Sequence, residues 1–220
     1  KSDLNTTFLS IIIPAHNESS RLPRTLEQIF AFLNTQTYTS EVIVVENGST
    51  DRTFELASEF LKDHPELNVI HEENRGKGNA VRRGILSAHG EYHFICDADL
   101  SMPIEDLPKF LPPTLNDFDI AIGSREAPGS IRYNEPPYRH LGGRAINLAI
   151  RTLILPGLND TQCGFKCFHA EETTALFQQQ TLTGWSFDIE LLFLARRKKL
   201  RVHEVPIQWY YDPDSKVSAV

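Results

Sequence analysis

The sequence contains no apolar run that approaches the ~20 residues needed to cross a bilayer. Its polar start, residues 1–7, and the short apolar run at residues 8–13 do not form the pattern of a signal peptide. Basic charge is also scarce: 22 Lys and Arg residues against 29 Asp and Glu residues give the 220-residue chain a net charge of −7. Such a chain binds a nucleic-acid backbone poorly, so we expect no nucleic-acid partner.

Cysteine is rare as well, and Cys96, Cys163 and Cys167 are too few for a disulfide framework. Cys163 and Cys167 lie four positions apart with no histidine pair nearby, which is not a zinc-binding pattern. Free thiols are typical of a reducing compartment. We therefore expect a cytoplasmic protein, or one bound peripherally to the cytoplasmic face of a membrane.

Short apolar runs alternate with segments of helical periodicity in the first half of the chain, which is typical of βαβ units around a parallel sheet. The pattern favours an α/β fold. The predicted strands are residues 8–14, 42–45, 68–71, 92–96, 119–123 and 202–210. We see neither a linker nor a repeat, so we predict one domain over residues 1–220.

The helical segments are predicted from apolar stripes. Leu22, Leu26, Ile29 and Leu33 form one stripe, with Ser20 as the predicted N-cap. Further helices are predicted at residues 50–64, 76–88, 138–155 and 187–198, and the first of these is expected to bury Phe54, Ala57 and Leu61. Residues 126–137 hold three prolines and a glycine, which predicts a loop able to act as a lid or to help bind an acceptor.

Polar clusters follow three of the predicted strands, at residues 14–18 (PAHNE), 46–51 (ENGSTD) and 97–99 (DAD). In an open parallel α/β sheet, ligands bind in the crevice at the carboxyl ends of the strands. We therefore expect the three clusters to line one cleft.

The Asp97-Ala98-Asp99 motif predicts a metal site. Paired carboxylates are hard oxygen ligands of the kind that Mg²⁺ or Mn²⁺ prefers, and such an ion can bridge them to a diphosphate. The alternative is that Asp97 caps a helix entered at Pro103, which leaves Asp99 unexplained.

A glycine-rich stretch at residues 74–78 (NRGKG) predicts a phosphate cradle made of backbone N–H groups and Lys77. It does not match the G-x-x-x-x-G-K-[ST] motif of P-loop NTPases, and Val81 occupies the last glycine position of the dinucleotide motif G-x-G-x-x-G. The alternative is a flexible loop that enters a helix.

Together, these and further motifs resemble the family 2 glycosyltransferases over nearly the whole chain. The motifs are PAHNE at 14–18, VVENGSTD at 44–51, NRGKGNAVRRG at 74–84, CDADLS at 96–101, GSR at 123–125, DTQCGFK at 160–166 and GWSFDIEL at 184–191. The chain looks most like the dolichyl-phosphate β-glucosyltransferases, with the dolichyl-phosphate mannose synthases next. The resemblance implies a GT-A (Rossmann-like) three-layer fold with a mainly parallel central sheet. It also implies a nucleotide-sugar donor, Mg²⁺ or Mn²⁺, and a dolichyl- or polyprenyl-phosphate acceptor.

The resemblance also assigns site residues. The nucleotide would contact Pro14, His16, Glu18, Val45, Glu46, Asn47, Lys77, Asp97 and Ala98. The metal would be held by Asp97 and Asp99, with Ser101 standing where the mannose synthases tend to have a ligand glutamine. Arg125 and Arg139 match arginines that bind the acceptor phosphate, and these two arginines and the two aspartates are the predicted catalytic residues. Three departures weaken the mannose alternative and leave the third metal ligand open: Glu46-Asn47 replaces the more usual Asp-Asp, Ser101 replaces the ligand glutamine, and Gly143 replaces an acceptor-side serine.

The activity that the resemblance implies is inverting transfer of glucose from UDP-glucose to dolichyl or another polyprenyl phosphate. A lipid phosphate is already ionised at neutral pH, so the enzyme needs to orient it and stabilise the departing diphosphate rather than supply a strong base. GDP-mannose remains an alternative donor. A sugar-phosphate nucleotidyltransferase is a second alternative, although such an enzyme needs a glycine-rich loop directly after the first strand, and residues 14–23 contain no glycine. A noncatalytic nucleotide-sugar sensor is a third.

A lipid acceptor implies contact with a membrane surface. The predicted helix at residues 138–155 carries Arg139, Arg144 and Arg151 beside apolar residues, which fits either an interfacial helix or an ordinary core helix. Asp188 and Glu190, near the start of the predicted helix at 187–198, are expected either to face the cleft or to cap that helix.

Overall fold

The computed structural model describes residues 6–136 and 154–212. Nine strands are found in this part of the chain: β1 (Leu9–Ala15), β2 (Ser40–Glu46), β3 (Leu67–His71), β4 (Tyr92–Ile95), β5 (Ile120–Ser124), β6 (Ile131–Tyr133), β7 (Lys166–His169), β8 (Val202–Pro206) and β9 (Gln208–Tyr210). Seven of them form a central sheet of order β3-β2-β1-β4-β7-β5-β8, and β6 pairs with β9 in a small second sheet.

Most pairs in the central sheet are parallel, as predicted. β1 pairs with β2 and β4, β2 with β3, and β5 with β8, all in parallel. The exception is β7, which lies antiparallel between β4 and β5. The carboxyl ends of β1, β2, β3 and β4 therefore meet at one edge of the sheet, which is where the polar clusters follow.

Helices cover both faces of this sheet. They are α1 (Leu22–Leu33), α2 (Thr53–Glu59), α3 (Lys77–Ser87), α4 (Ala170–Gln179) and α5 (Phe187–Arg197), with 3₁₀ segments at Phe60–Lys62 and Ile104–Phe110. Alternate residues of β1 serve the two faces: Ile11 and Ile13 pack in one core with α1, and Ile12 packs in the other with Val81 of α3. The α/β three-layer architecture is thus confirmed. No described helix is both long and apolar enough to span a bilayer.

Several local predictions need correction. α1 begins at Leu22, and its N-cap is Arg21 rather than Ser20, without a side-chain capping bond. α2 is shorter than predicted and is followed by the 3₁₀ segment Phe60–Lys62. Ala57 is buried, but Phe54 of α2 and Leu61 of the 3₁₀ segment are more than two-fifths exposed, because this part of the chain turns only one narrow face to the core. The single strand predicted at 202–210 is broken at Ile207.

The prediction for residues 126–137 is wrong in part, since β6 lies within that segment and pairs with β9 in the small sheet. The predicted helix at 138–155 lies almost entirely outside the described residues, and Arg139, Gly143, Arg144 and Arg151 lie outside them as well.

Candidate active site

The three polar clusters lie together at the carboxyl edge of the sheet. The first two are joined by hydrogen bonds: the ring Nδ1 of His16 lies 2.8 Å from the carbonyl oxygen of Asn47, and the backbone N–H of Glu18 donates to Thr53 Oγ1 at 2.8 Å. The third is tied to α1, where the Thr25 hydroxyl donates to the carbonyl oxygen of Ala98 at 2.6 Å. Helix and strand ends thus hold one another in place around a single cleft.

The acidic pair lies after β4. Asp97 Oδ1 accepts a 2.7 Å hydrogen bond from Lys77 Nζ, and Asp99 Oδ1 accepts one from the backbone N–H of Ser101 at 3.0 Å. Burial, followed by the neighbouring charge of Asp97, raises the pKa of Asp99. Lys77 and, more remotely, Arg21 place positive charge near the two carboxylates, and a bound divalent cation would offset their charge further.

The donor set fits Mg²⁺ or Mn²⁺, since both side chains offer carboxylate oxygen. Within the described residues no group of three or more His, Cys, Asp and Glu side chains is placed to bind a metal. If Asp97 and Asp99 hold such an ion, further ligands such as a diphosphate or water would be needed to complete its coordination. Ser101 is 8% exposed, and both its backbone N–H and its hydroxyl interact with the carboxylate of Asp99.

Gly164 packs directly against the acidic pair. A Cβ atom at this position would lie 1.7 Å from Asp97 Oδ2, so no larger residue fits while Asp97 keeps its place. The segment that contains Gly164 enters antiparallel strand β7 and covers Asp97 on that side. The motif DTQCGFK therefore belongs to the site through close backbone approach, a role that its sequence alone did not reveal.

The glycine-rich stretch is organised by Asn47. Its Oδ1 accepts the backbone N–H of Gly76 at 2.7 Å, and its Nδ2 donates to the carbonyl oxygens of Asn74 and Glu72 at 2.7 and 3.1 Å. Gly76 has a φ of 132°, and a Cβ there would lie 2.2 Å from the carbonyl oxygen of Thr183. The loop is consequently ordered by the protein itself and is not the flexible entry that we weighed as the alternative.

Lys77 is the first residue of α3 and points to the cleft. Besides its bond to Asp97, its ammonium lies 4.8 Å from the ring centre of Trp185. Burial alone would lower the pKa of Lys77, but the charges of Asp97 and Asp188 outweigh it and raise the pKa. The side chain therefore stays cationic beside the acidic pair.

Glu46 is almost fully buried, at 2% exposure. One carboxylate oxygen accepts the backbone N–H of Ser49, and the other lies 2.5 Å from Nδ1 of His71. Burial alone would raise the pKa of Glu46, but the hydrogen bonds from Ser49 and His71 outweigh it and lower the pKa. Glu46 and Asn47, both predicted to contact the nucleotide, are thus engaged in shaping the cleft wall.

Glu18 forms an ion pair that the sequence did not suggest. Arg21 donates from Nε and Nη2 to its two carboxylate oxygens at 2.8 and 3.0 Å, and from Nη1 to Asp212 at 2.5 Å. Burial would lower the pKa of Arg21, but Glu18 and Asp212 raise it overall. The end of the described chain is thereby tied to the cleft.

Arg125 is held by a buried partner. Its Nε and Nη2 donate to the two oxygens of Asp160 at 2.7 and 2.9 Å, its backbone N–H donates to the same carboxylate at 3.0 Å, and its guanidinium lies 5.5 Å from the Trp209 ring. Burial would raise the pKa of Asp160, but Arg125 lowers it to about 2. Both groups therefore stay charged. Nη1 is the guanidinium nitrogen of Arg125 that makes no hydrogen bond to Asp160.

A second buried pair joins β7 to α5. Lys166 Nζ lies 2.9 Å from Asp188 Oδ1, and both residues are less than 10% exposed. Burial raises the pKa of Asp188, against the opposing charge of Lys166. Asp188 thus faces Lys166, and Glu190 accepts the backbone N–H groups of Thr181 and Leu182. Neither acidic residue caps α5, because Ser186 is its N-cap.

A model of glycosyl transferase family 2 matches residues 10–184. Among curated relatives, the dolichyl-phosphate beta-glucosyltransferase ALG5C of Trichomonas vaginalis is 36% identical over 228 residues, which span 98% of this chain and 67% of the relative. The dolichyl-phosphate beta-glucosyltransferase of Drosophila melanogaster is 37% identical over 96% of this chain and 69% of its own length. The Homo sapiens protein of the same name is 33% identical over 98% of this chain and 71% of its own length.

Solved structures match the fold at lower identity. Glucosyl-3-phosphoglycerate synthase of Mycobacterium tuberculosis, crystallised with UDP, aligns with a TM-score of 0.69 at 19% identity, over 96% of this chain and 74% of that enzyme. Its complex with Mn²⁺, UDP-glucose and phosphoglyceric acid aligns with a TM-score of 0.67 at 19% identity, over 92% of this chain and 70% of that enzyme. This likeness confirms the GT-A type of fold.

Proposed function

This chain belongs to glycosyl transferase family 2, and we propose that it transfers glucose from UDP-glucose to dolichyl phosphate or a related polyprenyl phosphate with inversion. The observation that carries the proposal is its identity of 32–37% to dolichyl-phosphate beta-glucosyltransferases over at least 96% of the chain. UDP is our choice of nucleotide because a protein of the same fold was crystallised with UDP-glucose.

In this proposal Asp97 and Asp99 hold Mg²⁺ or Mn²⁺. When bound, such an ion acts as a Lewis acid on the diphosphate leaving group. Lys77 lies 2.7 Å from Asp97, so its ammonium is close enough to move from that carboxylate to a diphosphate oxygen. The backbone N–H groups of the stretch at 76–78 would add hydrogen bonds to the same anion.

Arg125 would bind the acceptor phosphate through Nη1, the guanidinium nitrogen that is not hydrogen-bonded to Asp160. An arginine suits this role because its planar guanidinium can bind a carboxylate on one side and a phosphate on another. Asp160 would position it, since the buried carboxylate accepts three hydrogen bonds from Arg125. Arg139 remains a predicted second ligand of the same phosphate, by resemblance.

No strong general base is required, because the attacking phosphate oxygen is already ionised. The work of the site is to align that oxygen with the anomeric carbon and to stabilise charge on the departing diphosphate. We further propose that residues 1–220 form one GT-A domain and that it meets its lipid acceptor peripherally, at the cytoplasmic face of a membrane.

The test is a transfer assay with a short-chain polyprenyl phosphate. We expect sugar transfer from UDP-glucose in the presence of Mg²⁺ or Mn²⁺, and loss of transfer in EDTA. In parallel, UDP with metal should raise the melting temperature more than GDP does. If the protein transfers mannose from GDP-mannose and no glucose from UDP-glucose, its activity is that of a mannose synthase. If it releases pyrophosphate from UTP and glucose 1-phosphate, it is a nucleotidyltransferase.

A further inference from the structure

His71 is a half-exposed histidine at the carboxyl end of β3. It stands in register with Glu46 of β2, which in turn stands in register with Ala15 of β1. Its Nδ1 lies 2.5 Å from Glu46 Oε2, and the edge of its ring faces Phe54 at 6.2 Å between ring centres. A side chain that is 51% exposed is thus held in one orientation from two sides.

The position of the acidic pair decides where the base of a bound nucleotide would lie. A diphosphate near Asp97 and Lys77 sits at the end of β4, and the segment with Gly164 covers Asp97 on the β7 side. The nucleoside must therefore extend the other way, across the ends of β1, β2 and β3. Neighbouring strands lie about 4.8 Å apart, so β3 is about 14 Å from β4, which an extended nucleotide can reach.

Among the described residues, the two polar side chains that end β2 and follow it are already hydrogen-bonded. The carboxylate of Glu46 is buried and bonded on both oxygens, and the amide of Asn47 is used on both its atoms. The hydrogen bond of His71, in contrast, uses Nδ1, and the side chain is 51% exposed with no bond to Nε2 from the described residues. Since the Glu46 carboxylate accepts the Nδ1 proton, the neutral ring carries its lone pair on Nε2.

We propose that His71 reads the base of the donor by accepting a hydrogen bond from N3–H of uracil at Nε2, with Glu46 as its positioning residue. The inference rests on the proposed function, because it takes the donor to be a uridine nucleotide. Cytosine has a lone pair at N3 instead of a proton. Its N3 and Nε2 of His71 would both be hydrogen-bond acceptors, so no hydrogen bond could form between them. The contact therefore selects uracil over cytosine.

The experiment is isothermal titration of the intact protein with UDP, CDP and N3-methyl-UDP, each with Mn²⁺. The wild type should bind UDP about 5- to 10-fold more tightly than the other two, and His71→Ala should bring the three affinities within about twofold of one another. His71→Gln keeps an acceptor oxygen and should recover part of the preference for UDP.

His89→Ala is the matched control. His89 also faces a carboxylate through Nδ1, that of Glu41 at 3.3 Å, but it lies before β4 at the opposite edge of the sheet. This variant should keep the wild-type order of affinities. If His71→Ala and His71→Gln both bind UDP and retain its full advantage over CDP, the base contact is wrong while the proposed donor stands. Failure of the wild type to bind UDP would instead overturn the proposed donor, and the base contact with it.

Discussion

His93, in the middle of β4, should make the protein less stable in mild acid. The side chain is 2% exposed, and neither ring nitrogen has a hydrogen-bond partner among the described residues. Burial lowers its pKa from 6.5 to about 4; Glu41 and the nearby backbone of Gly90 oppose this, while His89 and His169 add to it. The folded protein therefore holds His93 neutral at pH values where the unfolded chain would protonate it.

The sign and size of the effect follow from proton linkage. The unfolded state binds a proton near pH 6.5 and the folded state only near pH 4, so the stability that this neutral residue provides is complete above pH 6.5 and is lost as the pH falls toward 4. One pKa unit corresponds to about 1.4 kcal/mol. The free energy of unfolding should thus fall by about 2 kcal/mol between pH 7.5 and pH 5, and by about 3 kcal/mol once the pH is below 4.

His93→Leu removes the titration without removing a hydrogen bond. A leucine is similar in volume to histidine, so the free energy of unfolding of the variant should be within about 1.5 kcal/mol of that of the wild type at pH 7.5. At pH 5 the free energy of unfolding of the variant, relative to that of the wild type, should be about 2 kcal/mol higher than at pH 7.5. Urea unfolding followed by circular dichroism at pH 5–8 measures both free energies, and His203→Leu, on an exposed side chain of β8, should follow the wild type. Parallel pH profiles for wild type and His93→Leu would refute the reasoning.

Three further predictions concern the cleft. Asp99→Asn should lower turnover at least about 100-fold and abolish the Mn²⁺-dependent gain in UDP affinity, with an unchanged circular dichroism spectrum; wild-type turnover would contradict the metal site. Gly164→Ala should abolish UDP binding by displacing the first carboxylate of the acidic pair, whereas Gly184→Ala, where an added Cβ meets nothing within 4 Å, should bind normally. Asp160→Asn should raise the KM for polyprenyl phosphate about 10-fold with little change in UDP affinity, because Arg125 loses its charged partner; the reverse pattern would assign this arginine to the donor site.

The elements that sequence predicted well are those with a strong local signal. Helix α1 was found from its apolar stripe, and the buried strands β1 and β2 from short apolar runs, to within one or two residues. The polar clusters at the strand ends were equally visible, because a parallel sheet brings the ends of its strands to one edge. Periodicity and chain topology are enough for these features.

Strand β7 was missed because its sequence, Lys166–His169, carries a charge in a fully buried position. The burial of Lys166 is tolerated because Asp188 pairs with it, and that partner lies on α5. Helix α4, which follows β7, was missed along with it. No local rule signals a buried lysine whose partner comes from another element.

The sequence by itself determined the fold class and the family, because strand and helix periods and residue types are local properties. Only the tertiary structure decided how each polar side chain is used. It directs Glu46 and Asn47 into the cleft wall, pairs Arg125 with Asp160, and binds Nδ1 of His71 to Glu46. Burial and hydrogen-bond partners depend on residues far apart in the chain, so the role of an ionisable group is settled only when the elements pack.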